Sequence, residues 1–149
     1  MAADTVPTSE DCNCYAVRAA ARHVSQFYDQ VLAPTGLRTT QFSMLAKLKR
    51  KGPLTINALA ADMVMDRTTL GRNILPLQRD GLIKIEPDAA DRRAKALRLT
   101  KAGEKRLQVA RERWAVAQER FETVFGTRRA AELRALLRAV VAGEFAAAA

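Results

Sequence analysis

Apolar residues return every three or four positions from about Cys12 to Ala33, where Ala16, Ala20, Val24, Phe27 and Val31 form one stripe of a predicted helix. Pro34, Thr35 and Gly36 interrupt the pattern. It resumes from about Thr39, with Phe42, Leu45, Ala46 and Leu48 as the buried side of a second helix that Gly52 and Pro53 end. Thr55 is placed to cap a short third helix whose Ile56, Leu59, Ala60 and Met63 face inward. After a three-residue turn centred on Val64 and Met65, Asp66 caps a fourth. There Leu70, Ile74 and Leu77 share one arc, while Thr68, Arg72, Leu75 and Arg79 project from the other side. Pro76 lacks the N–H that would bond the Arg72 carbonyl, so a kink or an early end is expected, and Gly81 supplies the stop.

The period then changes from helix to strand. Ile83 and Ile85 alternate with Lys84 and Glu86, and Leu97 and Leu99 flank Arg98, so each run offers one buried and one wet face. Between them lies a polar tip, Pro87 to Lys95, carrying Arg92, Arg93 and Lys95 beside Asp88 and Asp91. Two short helices joined by a tight turn, followed by a hairpin, make the layout of a winged helix-turn-helix. Packing gives a projecting loop no reason to be basic. Phosphates or a minor groove do, once the preceding helix lies in the major groove.

From Thr100, a good N-cap, a long helix carries Leu107, Trp114 and Phe121 seven apart with Ala110, Ala117 and Val124 interleaved, a heptad stripe that asks for another helix. Gly126 and Thr127 punctuate, and a last helix shows Leu133, Leu136, Leu137, Val140 and Val141. The first helix and the last two carry more apolar surface than a small winged domain covers. A homodimer is the simplest way to bury it, through Val24, Phe27, Val31, Leu133, Leu136, Leu137 and Val140 among others. The expected fold is therefore mainly α with a small β-wing. Residues 1–11 are expected to be disordered and 12–149 to form one unit: dimerisation helices at 12–36 and 100–145, and the winged helix-turn-helix at 37–99. A dimeric reader implies an inverted-repeat site with half-sites roughly 10 base pairs apart.

Composition narrows the partners. Twenty-five Lys and Arg against 16 Asp and Glu leave a net charge of +9 on 149 residues, which favours a polyanion. With 48% hydrophobic residues there is enough for a core. No run approaches the roughly 18 apolar residues of a membrane span, and the start MAADTVPTSED has neither a basic nor an apolar stretch, so a cytoplasmic location is expected. Cys12 and Cys14, two apart on a helix, would point to nearly opposite faces and form no bridge. With one His, no CxxC, no Gly-rich phosphate loop and no GxSxG elbow, neither a metal, a cofactor nor an enzyme is expected.

The order helix, helix, helix-turn-helix, wing, long helix, helix, with DRTTLGRNILPLQRDG and GLIKIEPDAADRRAKALRLTKAGE, resembles the MarR family of bacterial transcription regulators from about Cys12 to about Val141. The resemblance implies homodimers whose terminal helices interlock, a pseudo-palindromic operator of double-stranded DNA, and release by a small phenolic or other aromatic ligand or by cysteine oxidation. On the family pattern Arg67, Thr68, Thr69, Arg72 and Asn73 occupy the groove-facing start of the recognition helix. Asp91 and Arg93 match its wing D-x-R, in which the Asp orients the Arg. Arg92 is a loop residue without a pattern match, for which phosphate contact is read beside plain solvation. The implied function is a repressor released by a small aromatic effector.

The effector end of the chain leaves two readings open. Phe42 and Tyr28 either line a cavity or pack the core, and Trp114 is a stripe residue with a ligand pocket as its second reading. The stretch CYAVRAAARHVSQFYDQVLAPTGLRTTQF resembles the first helix of the family's organic-hydroperoxide-sensing branch, with Cys14 on its reactive cysteine and Tyr28 on a tyrosine that holds the thiol from the other subunit. Fourteen helical residues span about 21 Å, so those two would meet only across a dimer. Arg18 and Thr39 stand where that branch has further tyrosines. Arg18, one turn from Cys14, would favour a thiolate, whereas a free cysteine is commonly just a small apolar residue. A thiol-based peroxide sensor through Cys14 is thus the alternative function, and an architectural DNA binder without an effector the remote one.

Overall fold

In the computed structural model, which describes residue 6 and residues 8–145, the helices follow one another in the predicted order and the wing forms. The chain divides into two units, 1–114 and 115–149. The first holds α1 (Asn13–Leu32), α2 (Thr39–Lys51), β1 (Leu54–Thr55), α3 (Ile56–Asp62), α4 (Arg67–Arg79), β2 (Ile83–Pro87), β3 (Lys95–Leu99) and the start of α5 (Lys101–Phe125). The second holds the end of α5 and α6 (Thr127–Ala142).

Of the segment expected to be disordered, residues 1–5 and 7 lie outside the described residues. Ser9–Asp11 form a 3-10 turn, with the Thr8 hydroxyl donating to the Asp11 carboxylate at 2.7 Å. Cys12 is off the helix: it is the N-cap of α1, in extended backbone, and its Sγ accepts from the Tyr15 N–H at 3.4 Å. Cys12 and Cys14 are both free and exposed.

The core of the first unit gathers the inward arcs predicted for α2, α3 and α4. Leu45, Leu59 and Leu70 have no exposed surface and Leu77 is 1% exposed, and Met44, outside the arc expected for α2, is fully buried with them. Leu32, Leu82, Leu97, Leu107 and Ala110 join the same cluster. Helix α4 does not end at Pro76. Burial of Ile74 and Leu77 on either side of it holds the chain helical as far as Arg79, and Asp80 N–H still reaches the Pro76 carbonyl at 3.0 Å. Gly81, at φ +72°, then turns the chain, with Leu82 N–H bonded to Leu77 and Gly81 N–H to Gln78, a pair that satisfies the last carbonyls.

The sheet has three antiparallel strands in the order β1-β3-β2, one more than the hairpin expected. Strand β3 pairs Leu97 with Ile85 on one side and with Leu54 on the other. The alternation expected on β3 holds from Leu97 through an exposed Arg98 to a half-buried Leu99, and Ala96, opposite Thr55, is buried in addition. Thr100 ties the wing to α5: its hydroxyl donates to the Gly81 carbonyl at 2.6 Å and accepts from the Gly103 N–H at 3.0 Å. Gly103 sits so close that a Cβ there would collide with the Leu82 carbonyl oxygen. Arg106 reaches back from α5, donating from Nη1 to the Thr35 carbonyl at 3.0 Å, and so fixes the turn between α1 and α2.

In the second unit Phe121 and Phe125 lie 5.5 Å apart, with the Arg129 guanidinium 4.3 Å over the Phe125 ring. Its α6 leaves Leu136, Leu137, Val140 and Val141 exposed. On α1, Val24, Phe27 and Val31 are half-buried, as is Leu133 on α6.

Candidate nucleic-acid interface

The site starts with a helix end. Helix α3 begins at Thr55, whose hydroxyl accepts from the Ala58 N–H at 3.1 Å, and stops at Met63. Val64 then takes φ +55°, a left-handed conformation that a β-branched residue adopts only under strain. That turn closes with Met65 N–H on the Ala60 carbonyl at 2.9 Å and Val64 N–H on Ala61 at 3.1 Å. Two residues later Asp66 opens α4, so the helix-turn-helix owes its tight connection to one strained residue. From below, α3 is moored to α2 by the Asp62 carboxylate, which meets the Lys47 and Lys51 ammonium groups at 3.0 and 2.9 Å. Lys51 first, then Lys47, hold the Asp62 carboxyl below the usual carboxylate range.

The first two turns of α4 are built around the Asp66 carboxylate, which accepts from both the N–H and the hydroxyl of Thr69, each at 2.8 Å. The Thr69 N–H, then its hydroxyl, pull the Asp66 carboxyl below its ordinary range. Thr69 is therefore occupied with the cap, and its carbonyl accepts from the Asn73 side chain at 2.9 Å. Arg67, Thr68 and Arg72 are exposed beside it, and neither arginine has an ion-pair partner among the described residues. Arg79, two turns on, leans on Asp80 at 3.5 Å. Leu75, one turn from Arg72, is 61% exposed, which the inward arc of α4 does not require.

The wing tip, residues 88–94, is held by its own acidic residues. The Asp88 carboxylate accepts from the N–H groups of Ala90 and Asp91 at 3.1 and 2.9 Å, and Asp88 N–H donates to the Ala94 carbonyl at 2.9 Å. Asp91 accepts from the Arg93 N–H at 3.0 Å, so it fixes the arginine through the backbone and leaves the guanidinium unpaired. Arg92 and Arg93 are exposed, with no ion pair among the described residues. The arrangement presents cations with no ion-pair partner among the described residues on a capped helix face and a hydrogen-bonded turn, which suits phosphates and base edges.

The effector candidates separate into two places. Phe42, buried on α2, stacks on Trp114 of α5, with ring centroids 6.0 Å apart and planes at 19°. Tyr28 sits edge-on to Phe27 at 5.6 Å on α1. Cys14 and Arg18 are exposed near the other end of that helix, so one chain does not bring Cys14 to Tyr28. The residues that sequence reasoning passed over are Arg38 and Gln41, which share an open groove of about 410 Å³ with Arg72 and Asn73. Only a tertiary contact between α2 and α4 reveals them. Among the described residues no cluster of His, Cys, Asp or Glu is placed to hold a metal ion, and no helix is long and apolar enough to cross a membrane.

Residues 37–95 match the MarR family. The transcriptional regulator MosR of M. tuberculosis is 35% identical in its crystal structure, which covers 91% of this chain and 100% of that one at a TM-score of 0.77. MosR in complex with DNA is 37% identical over 89% of this chain and 98% of that one, at a TM-score of 0.73. BpsR of Bordetella bronchiseptica, whose DNA binding is regulated by 6-hydroxynicotinic acid, is 18% identical over 94% and 100% of the two chains, with a TM-score of 0.82, a likeness of fold alone. The uncharacterised HTH-type transcriptional regulator YwoH of Bacillus subtilis is 28% identical over 92 residues, 62% of this chain. That match spans 66% of YwoH, just under two thirds of its length.

Proposed function

This chain belongs to the MarR family of winged-helix transcription regulators, and from that premise we propose that it is a homodimeric repressor, released from a pseudo-palindromic operator by a small aromatic ligand. The observation that carries the DNA half is the start of α4: Arg67, Thr68 and Arg72 stand exposed on a helix whose cap and tight turn fix it, with no acidic partner for either arginine among the described residues. The wing adds Arg92 and Arg93 on a tip that its own carboxylates hold rigid. The likeness to MosR, solved with DNA, supports the same reading. DNA recognition, not catalysis, is the work proposed, in the cytoplasm.

The dimer rests on α6, where Leu136, Leu137, Val140 and Val141 lie exposed to water in a single chain, a surface that a second copy would cover. The effector rests on the Phe42–Trp114 stack, an aromatic pair with Trp114 still 37% exposed. A ligand releases DNA only if it prefers the dimer whose recognition helices are wrongly spaced. Fluorescence anisotropy of a labelled operator, titrated with hydroxybenzoic and hydroxycinnamic acids, tests this. Release by at least one phenolic acid, lost in Trp114→Ala, is expected. Release only by organic hydroperoxide, abolished in Cys14→Ser, would replace the ligand with the thiol.

A further inference from the structure

A groove of about 410 Å³ opens between the start of α2 and the middle of α4. Arg38 and Gln41 stand on one wall, and Arg72, Asn73, Arg79 and Asp80 on the other. We propose that this groove is a phosphate cradle in which Arg38 holds a backbone phosphate of the operator strand that flanks α4. The proposal rests on the DNA-binding reading and adds to it a contact from outside the helix-turn-helix and the wing.

Charge is the first argument. Asp80 lies 3.5 Å from Arg79 and balances it, whereas Arg38 and Arg72 have no ion-pair partner among the described residues. Two uncompensated guanidinium groups therefore border one concavity, an arrangement that an anion relieves. The neutral groups agree with that polarity. The Gln41 Oε1 accepts from the Arg38 N–H at 3.0 Å, which leaves both of its amide N–H groups to donate.

Position is the second. The backbone of Arg38 is locked at three points: its N–H on Gln41, its carbonyl accepting from Phe42 at 2.9 Å, and the next N–H, of Thr39, on the Asp29 carboxylate at 2.7 Å. The side chain itself is exposed and makes no bond that DNA would have to break. Because Arg72 belongs both to this groove and to the exposed face of α4, a strand whose bases meet α4 runs its phosphates past Arg38. A single guanidinium on that anchored backbone contributes affinity without sequence preference.

The test measures binding of the 149-residue chain to its selected operator and to an unrelated duplex, by anisotropy across a salt series. Arg38→Ala should make the plot of log K against log salt less steep by about 0.9, equally on both duplexes. Arg38→Lys should restore the slope, and both variants should melt with the parent. A parental slope in Arg38→Ala, while Arg93→Ala is shallower, would overturn the cradle and leave the DNA reading standing. Failure of the parent to bind either duplex would overturn both. Binding of inorganic phosphate by the parent but not by Arg38→Ala, with the DNA salt slope the same in both proteins, would assign the groove to a free anion and overturn the backbone assignment.

Discussion

The Asp66 carboxylate grips Thr69 twice, by its N–H and by its hydroxyl, each at 2.8 Å, and so sets where α4 begins. Both bonds favour the charged carboxylate, and the two lysines on Asp62 do the same one helix earlier. Because folding lowers the pKa of both carboxyls, their stabilisation is present at neutral pH and is lost as the pH falls through their folded values, below the ordinary carboxylate range. Urea unfolding at pH 7 and pH 3 should show Asp66→Asn losing less stability on acidification than the parent. Equal losses would remove Asp66 from the acid sensitivity.

Arg72 and Arg93 should fail in different ways. Arg72→Ala is expected to lose about 1–3 kcal/mol on the selected operator and to relax the base preference. Arg93→Ala is expected to weaken all duplexes alike and to flatten the salt dependence by about one unit of slope. Binding isotherms on matched and mismatched operators distinguish them, and parental affinity in both variants would remove the docking of α4 and the wing.

Gly103 of α5 lies against the chain just before β2, with the Leu82 carbonyl filling the space of a Cβ. Gly103→Ala should therefore cost about 1–3 kcal/mol, as overpacking does elsewhere, read from the urea midpoint. Ala102→Gly, at an exposed helical neighbour, is the control, expected to cost no more than about 1 kcal/mol.

Much of this was legible in the chain because the signals were local. Thr55, Asp66 and Thr100 cap as their types and positions require, and Gly81 stops α4 in the left-handed region. What escaped depended on distant partners. Strand β1 has two residues and no alternation to read, and exists because β3 lies beside it. Pro76 looked like a helix end, but burial of Leu77 outweighs one missing bond. Val64 gave no warning of its positive φ, since β-branched residues avoid it. Arg38 and Arg72 are 34 positions apart in sequence, and only the packing of α2 on α4 sets them on one groove.

The exposed side of α6 predicts the assembly. The parent should run as a dimer in light scattering at micromolar concentration. Leu136→Glu, which places a charge on that side without touching a buried residue, should shift it toward monomer with the helical circular dichroism retained. A parent that is monomeric at that concentration would remove both the dimer and the palindrome.

Sequencing the DNA that the purified protein selects from a random pool bears most directly on the whole reading. A homodimeric reader should enrich an inverted repeat whose half-sites are roughly 10 base pairs apart, centre to centre, as two copies of α4 in successive major grooves on one face of the duplex require. Bound DNA with no enriched sequence would contradict it and mark an architectural binder instead.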